Sequence, residues 1–197
     1  MKTQDSEKKS FRYSLDWRFF LPVSANSKIL YIGEAGDEVR QFFRRLNINE
    51  VSSIEKNSLA EVESLSTFDL ISIPYDFLNS SGYPKLRDLI RPDGFLLIGF
   101  SNRFRSKDVN ATFLFQIRSI LKKAGFSPLK YYGILPDQYI PEYVFPLTSQ
   151  AIGFVLRHRY QYRLPRWGLQ LISSTLSALL LSNFLPAYYV LAKADSR

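Results

Sequence analysis

The chain has 197 residues, 46% apolar and 22% charged, which suits a globular protein with a sizeable core. It has no cysteine and one histidine, His158, which excludes disulfides, thiolate metal sites and multi-histidine metal centres. The net charge of +8 is uneven: residues 29–99 carry seven basic and eleven acidic groups, a net of −4, and residues 100–197 carry thirteen and four, a net of +9. A basic half of this kind suits phosphorylated substrates, anionic lipid heads or nucleic acid, and equally a plain solvated surface.

Residues 1–10 (MKTQDSEKKS) are polar, contain no apolar core of a signal peptide, and read as a flexible tail. With the lack of cysteine, this points to the cytoplasm. Residues 11–197 read as a single domain. FRYSLDWRFFLP, at 11–22, is an aromatic lead-in ending at Pro22, and SANSK is a loop. KILYIG then has the short apolar run of a buried strand and stops at Gly33. Gly36 follows, and Val39, Phe42, Phe43 and Leu46 recur at helical spacing. Asp37 and Glu38 lie where helix N-caps and first-turn carboxylates are favoured. This is a strand, glycine turn and helix.

EVSSIEK, at 50–56, gives a second strand ending near Glu55, and Ser58 to Leu65 a short helix or turn. FDLISI, at 68–73, is an apolar strand; Pro84 to Ile90 is helical; RPDGFLLIGF, at 91–100, is a turn feeding another strand. Residues 111–124 place Phe113, Ile117, Ile120 and Leu121 on one helical side, and Gly125 is suited to end that helix. SPLKYYGIL supplies a further strand. Strands alternating with helices predict an α/β fold: an open, mostly parallel Rossmann-like sheet with helices on both faces.

Beyond residue 135, five prolines divide the chain. AIGFVLRHRYQYRLPR starts helix-like and becomes basic and aromatic; His158, flanked by arginines, reads as a surface residue. From Trp167 to Ala192 there is no charged residue. That is long enough to span a bilayer, but its polar residues and Pro186 favour a helix at 166–182 and a last, antiparallel strand, AYYVLAK, at 187–193. Residues 136–185 are expected to form an inserted cap, and 157–185 a face for a protein partner or an anionic membrane surface.

In this order the pieces resemble the class I S-adenosylmethionine-dependent methyltransferases over about residues 15–135, with AYYVLAK as their last strand. ILYIGEAG resembles the cofactor turn, SSIEK the acid-ended second strand, and LRDLIRPDGFLLIGFSN the helix, turn and fifth strand. The resemblance implies S-adenosylmethionine as cofactor, held by Gly33, Glu34, Ala35, Gly36 and Asp37, with Glu55 on the ribose hydroxyls. It also shows departures. Tyr31 stands where the family places an acid, and Asp37 where a small residue is usual.

Methyl transfer relies on alignment, and needs a base only when the acceptor carries a proton. SIPYD, at 72–76, loosely resembles a motif of amino methyltransferases, with Ile73 in place of a proline. Tyr75, Asp76 and then Asn102 are the acceptor-side candidates. The implied function is methyl transfer to a small or conjugated acceptor. The rival readings are a non-catalytic partner subunit that has lost the donor and a nucleic-acid-binding or nucleic-acid-modifying protein.

Overall fold

The computed structural model describes residues 21–33, 48, 50–54, 67–74, 82–103, 111–135, 143–160, 183 and 185–195. The helices read at 39–46 and 166–182 and the turn at 58–65 lie outside the described residues. The described strands are β1 (Ile29–Ile32), β2 (Val51–Ile54), β3 (Phe68–Pro74), β4 (Ile90–Ser101), β5 (Phe126–Leu135), β6 (Tyr143–Pro146) and β7 (Ala187–Ala194). The described helices are α1 (Gly82–Leu89), α2 (Leu114–Lys123) and α3 (Ser149–Tyr160).

These strands form one sheet in the order β2-β1-β3-β4-β7-β5-β6. β1 pairs in parallel with β2 and β3, and β3 with β4; β5 and β6 are antiparallel. Strand order therefore reverses between β1 and β3, as in doubly wound sheets. The expected α/β fold is present, with a parallel core and antiparallel later strands. The last strand does not extend the edge: it lies between β4 and β5.

By internal contacts the chain divides into two compact units. One comprises Arg18–Phe100, Leu114–Lys130 and Val190–Arg197; the other comprises Met1–Trp17, Ser101–Phe113 and Tyr131–Tyr189. In the first, Ile29, Leu30 and Ile32 are fully buried on both sides of β1. Leu70, Ile71, Leu96 and Ile98 continue that core through β3 and β4. Such near-continuous apolar runs fit parallel strands covered on both faces.

Polar ties fix the amino ends of these strands. Asp69 is buried; its Oδ2 accepts the Lys28 N–H at 2.7 Å, and its own N–H donates to the Lys28 carbonyl at 2.9 Å. Arg91 pairs with its other carboxylate oxygen. In register, Phe68 lies opposite Ile90 but Leu70 opposite Phe95, so residues 91–94 bulge from β4. Asp93 sits there with φ of 66°. A β-carbon on Gly94 would lie 2.6 Å from Ile90 Cγ2, 3.0 Å from the Arg91 oxygen and 3.1 Å from the Asp69 oxygen. In α1, Tyr83 and Leu86 are buried, and the buried Arg87 donates to the Asp195 carbonyl at the end of β7.

α2 buries Ile117, Leu121 and the following Ala124. It starts at Leu114 and not at 111, because Thr112 bridges Asn102 in extended backbone. Gly125, with φ of 80°, closes it in the left-handed conformation anticipated from the sequence.

In the other unit, β6 was not anticipated. It runs against β5, with Phe145 opposite Gly133. A β-carbon at Gly133 would meet Leu185 Cδ1 at 2.5 Å and the Phe145 ring at 2.9 Å. α3 begins after Thr148, whose hydroxyl accepts the Ala151 N–H at 3.3 Å as an N-cap does. It buries Ile152 and Val155. Among the described residues, no helix is long and apolar enough to cross a membrane.

Two outcomes follow from the bulge. Gly94→Ala should lower unfolding free energy by about 1–3 kcal/mol in urea titration, because two of the three close atoms are backbone. Lys193 Nζ lies 2.6 Å from Asp93, and that hydrogen bond, followed by the charge of Lys193, holds the Asp93 carboxyl below the usual aspartate range. A depressed folded value stabilises above the unfolded pKa, and the gain is lost as pH falls through the folded one. Carboxyl-carbon NMR should find Asp93 titrating early in acid, and moving upward in Lys193→Ala.

Candidate functional site

In an open parallel sheet the place for a ligand is beyond the carboxyl ends of the strands where their order reverses. Here that place is the end of β1 between β2 and β3, within the first unit. Gly33 stands at this end. Its φ of 143° is a conformation that disfavours a β-carbon, and its N–H donates to the Ile54 carbonyl at 3.0 Å. The ends of β1 and β2 are thus joined at the point where a ligand would approach the backbone.

The register exposes a feature that the sequence alone did not. Tyr31 is opposite Ser53 on β2 and Ser72 on β3. All three are half-buried, and alternation along β1 places Tyr31 on the same face as Gly33. Three hydroxyl side chains therefore cross the sheet in one row, two residues before the glycine. Only the strand pairing reveals that these residues share a level.

Of the candidates for cofactor binding, Glu34, Ala35, Gly36, Asp37 and Glu55 lie outside the described residues, as do the acceptor-side candidates Tyr75 and Asp76. Gly33 and Asn102 are described, and they belong to different units.

Asn102 is 1% exposed and ties the end of β4 to the approach to β7. Its Nδ2 donates to the carbonyls of Asn183 at 2.6 Å and Leu185 at 2.7 Å, and lies 2.8 Å from the Tyr188 hydroxyl. Its backbone N–H donates to the Pro186 carbonyl at 2.8 Å. Burial raises the Tyr188 phenol well above its ordinary pKa, and the Asn102 contact opposes that in part. This hydroxyl is therefore neutral across the physiological range. The geometry gives Asn102 a structural task, holding a chain segment some eighty residues away. Among the described residues, no group of histidine and acidic side chains could hold a metal ion.

No protein-family model matches the chain, and no curated protein does. Its fold, however, is shared with solved structures over nearly its whole length. A SAM-dependent methyltransferase from Archaeoglobus fulgidus is 13% identical, with a TM-score of 0.55 over 95% of this chain and 93% of that one. A chain of the Haloferax volcanii complex containing the Trm112 methyltransferase activator is 11% identical, with a TM-score of 0.58 over 98% and 93%. Haemonchus contortus phosphoethanolamine N-methyltransferase 2, solved with S-adenosyl-L-methionine, is 14% identical, with a TM-score of 0.52 over 96% of this chain and about half, 53%, of that one. Structural neighbours over nearly the whole chain include class I S-adenosylmethionine-dependent methyltransferases, and also the [4+2]-cyclase SpnF, 10% identical with a TM-score of 0.54; the chain has the Rossmann-like fold of the methyltransferases.

Asn102→Ala should cost about 1–3 kcal/mol of stability, because it takes the Nδ2 donor away from the buried Leu185 carbonyl. Tyr188→Phe, which removes only one partner, should cost about 0.5–1.5 kcal/mol. Urea titration of the two variants checks the order.

Proposed function

We propose that this chain transfers a methyl group from S-adenosylmethionine to a small or conjugated acceptor, lipid- or sugar-linked molecules included. The observation that carries the reading is the end of β1. A glycine with φ of 143° sits beside the reversal of strand order, in a sheet with the fold of S-adenosylmethionine-dependent methyltransferases.

When bound, S-adenosylmethionine supplies a methyl group made electrophilic by the sulfonium that it leaves. In this reading Gly33, Glu34, Ala35, Gly36 and Asp37 cradle the donor, and Glu55 accepts its ribose hydroxyls. Tyr31, Ser53 and Ser72 give this face neutral hydroxyls where the resemblance implies an acid. Neutral hydrogen bonds are roughly half as strong as charge-assisted ones, so this donor site is weaker than an acid-bearing one. Tyr75 and Asp76 orient the acceptor, and Asp76 takes a proton from an acceptor that carries one. Asn102 is a positioning residue that holds the end of β4. Most of the acceleration comes from alignment of donor and acceptor.

A second reading is a methyltransferase-like partner subunit that binds no donor. Tyr31, half-buried in the place of the expected acid, supports it, and so does the similarity to a chain from a complex with an activator protein.

Calorimetric titration with S-adenosylmethionine and S-adenosylhomocysteine separates the two. The enzyme reading expects saturable binding, weakened at least about tenfold in Glu55→Ala, the loss of one charge-assisted contact. Absence of both heat and thermal shift at millimolar ligand would overturn the enzyme reading and favour the partner reading.

A further inference from the structure

Helix α2 has two sides of opposite character. Ile117 and Leu121 face the core and are fully buried. On the other side Phe115 is 68% exposed, and Arg118, Ser119, Lys122 and Lys123 are exposed with it. Phe115, Arg118 and Lys122 follow at intervals of three and four, so they form one stripe about 10 Å long at the helical rise. The sequence has no acidic residue between Asp108 and Asp137, whereas Arg118, Lys122, Lys123 and Lys130 fall within that span. Among the described residues, no carboxylate pairs with Arg118, Lys122 or Lys123.

We infer that this face of α2 docks on an anionic bilayer surface, with Phe115 entering the headgroup–acyl boundary and Arg118, Lys122 and Lys123 meeting lipid phosphates and carboxylates. The surface must accept a protruding ring and three cations at once. A bilayer interface does so, since apolar side chains bury at the acyl boundary while basic ones sit among the headgroups. A nucleic-acid duplex would satisfy the cations and leave the ring in water. The face lies within one compact unit, and the inference is independent of whether the chain binds a methyl donor.

The test is flotation of the full chain with phosphatidylcholine vesicles, with and without phosphatidylserine. Binding should require phosphatidylserine and weaken with added salt. Each of Arg118→Gln, Lys122→Gln and Lys123→Gln should reduce partitioning about fivefold. Phe115→Ser should reduce it about tenfold. The three charge changes are at exposed side chains and should leave the melting temperature unaltered. Lys85→Gln, which removes one charge from α1, should reduce partitioning by less than twofold. The inference is overturned by no phosphatidylserine-dependent flotation, by equal loss in Lys85→Gln, or by undiminished flotation when all four α2 changes are combined. Binding of a single-stranded oligonucleotide in place of vesicles, lost in the same variants, would overturn it in favour of nucleic acid.

Discussion

Strand β1 is buried except for the half-buried Tyr31. Ile29, Leu30 and Ile32 point to both sides of it and are all buried, while β2 and β3 occupy both of its edges in parallel. A strand so enclosed can meet a ligand only at an end. Parallel neighbours also set all the carboxyl ends to one side, where the order of connection changes direction. The location of the candidate site therefore follows from the burial of these three residues, before any catalytic side chain is considered.

The two ends of the parallel strands differ in chemistry. At the amino ends, Asp69 joins Lys28 to Arg91, and Arg87 reaches the Asp195 carbonyl. These contacts satisfy buried polar groups and fix the strand register, so they hold the fold without leaving groups for a ligand. The carboxyl end has Gly33 in a conformation that favours glycine and a row of three hydroxyls behind it. The ties that hold the fold and the proposed donor site thus lie at opposite ends of the parallel strands.

Much of this was legible in the sequence. KILYIG, FDLISI, GFLLIGF and AYYVLAK are apolar runs too short for helices and bounded by turn residues, and each is a strand. Gly125 was legible as a helix end because few other residues adopt its conformation. Strand β6 was not, because YVFP is short, follows Pro141 closely and ends on Pro146, and it is held by pairing to Gly133 and Ile134 of β5. Asn102 was singled out by its place after a strand, but its partners Asn183, Leu185 and Tyr188 are set by the return of β7, which no local pattern encodes. The hydroxyl row was hidden for the same reason: Tyr31, Ser53 and Ser72 become neighbours only through register.

A shared fold places a site without naming its chemistry. In the proposed reading, the sheet supplies a place where a nucleoside-bearing donor lies against glycine backbone. Hydrogen exchange of the full chain with and without S-adenosylhomocysteine tests that placement most directly. Ligand contact at the β1 and β2 ends predicts slower exchange in peptides containing Gly33 and Ile54, with no change around Arg87 and Asp195. Unchanged exchange at Gly33 and Ile54 under saturating ligand, or protection confined to another part of the chain, would contradict it.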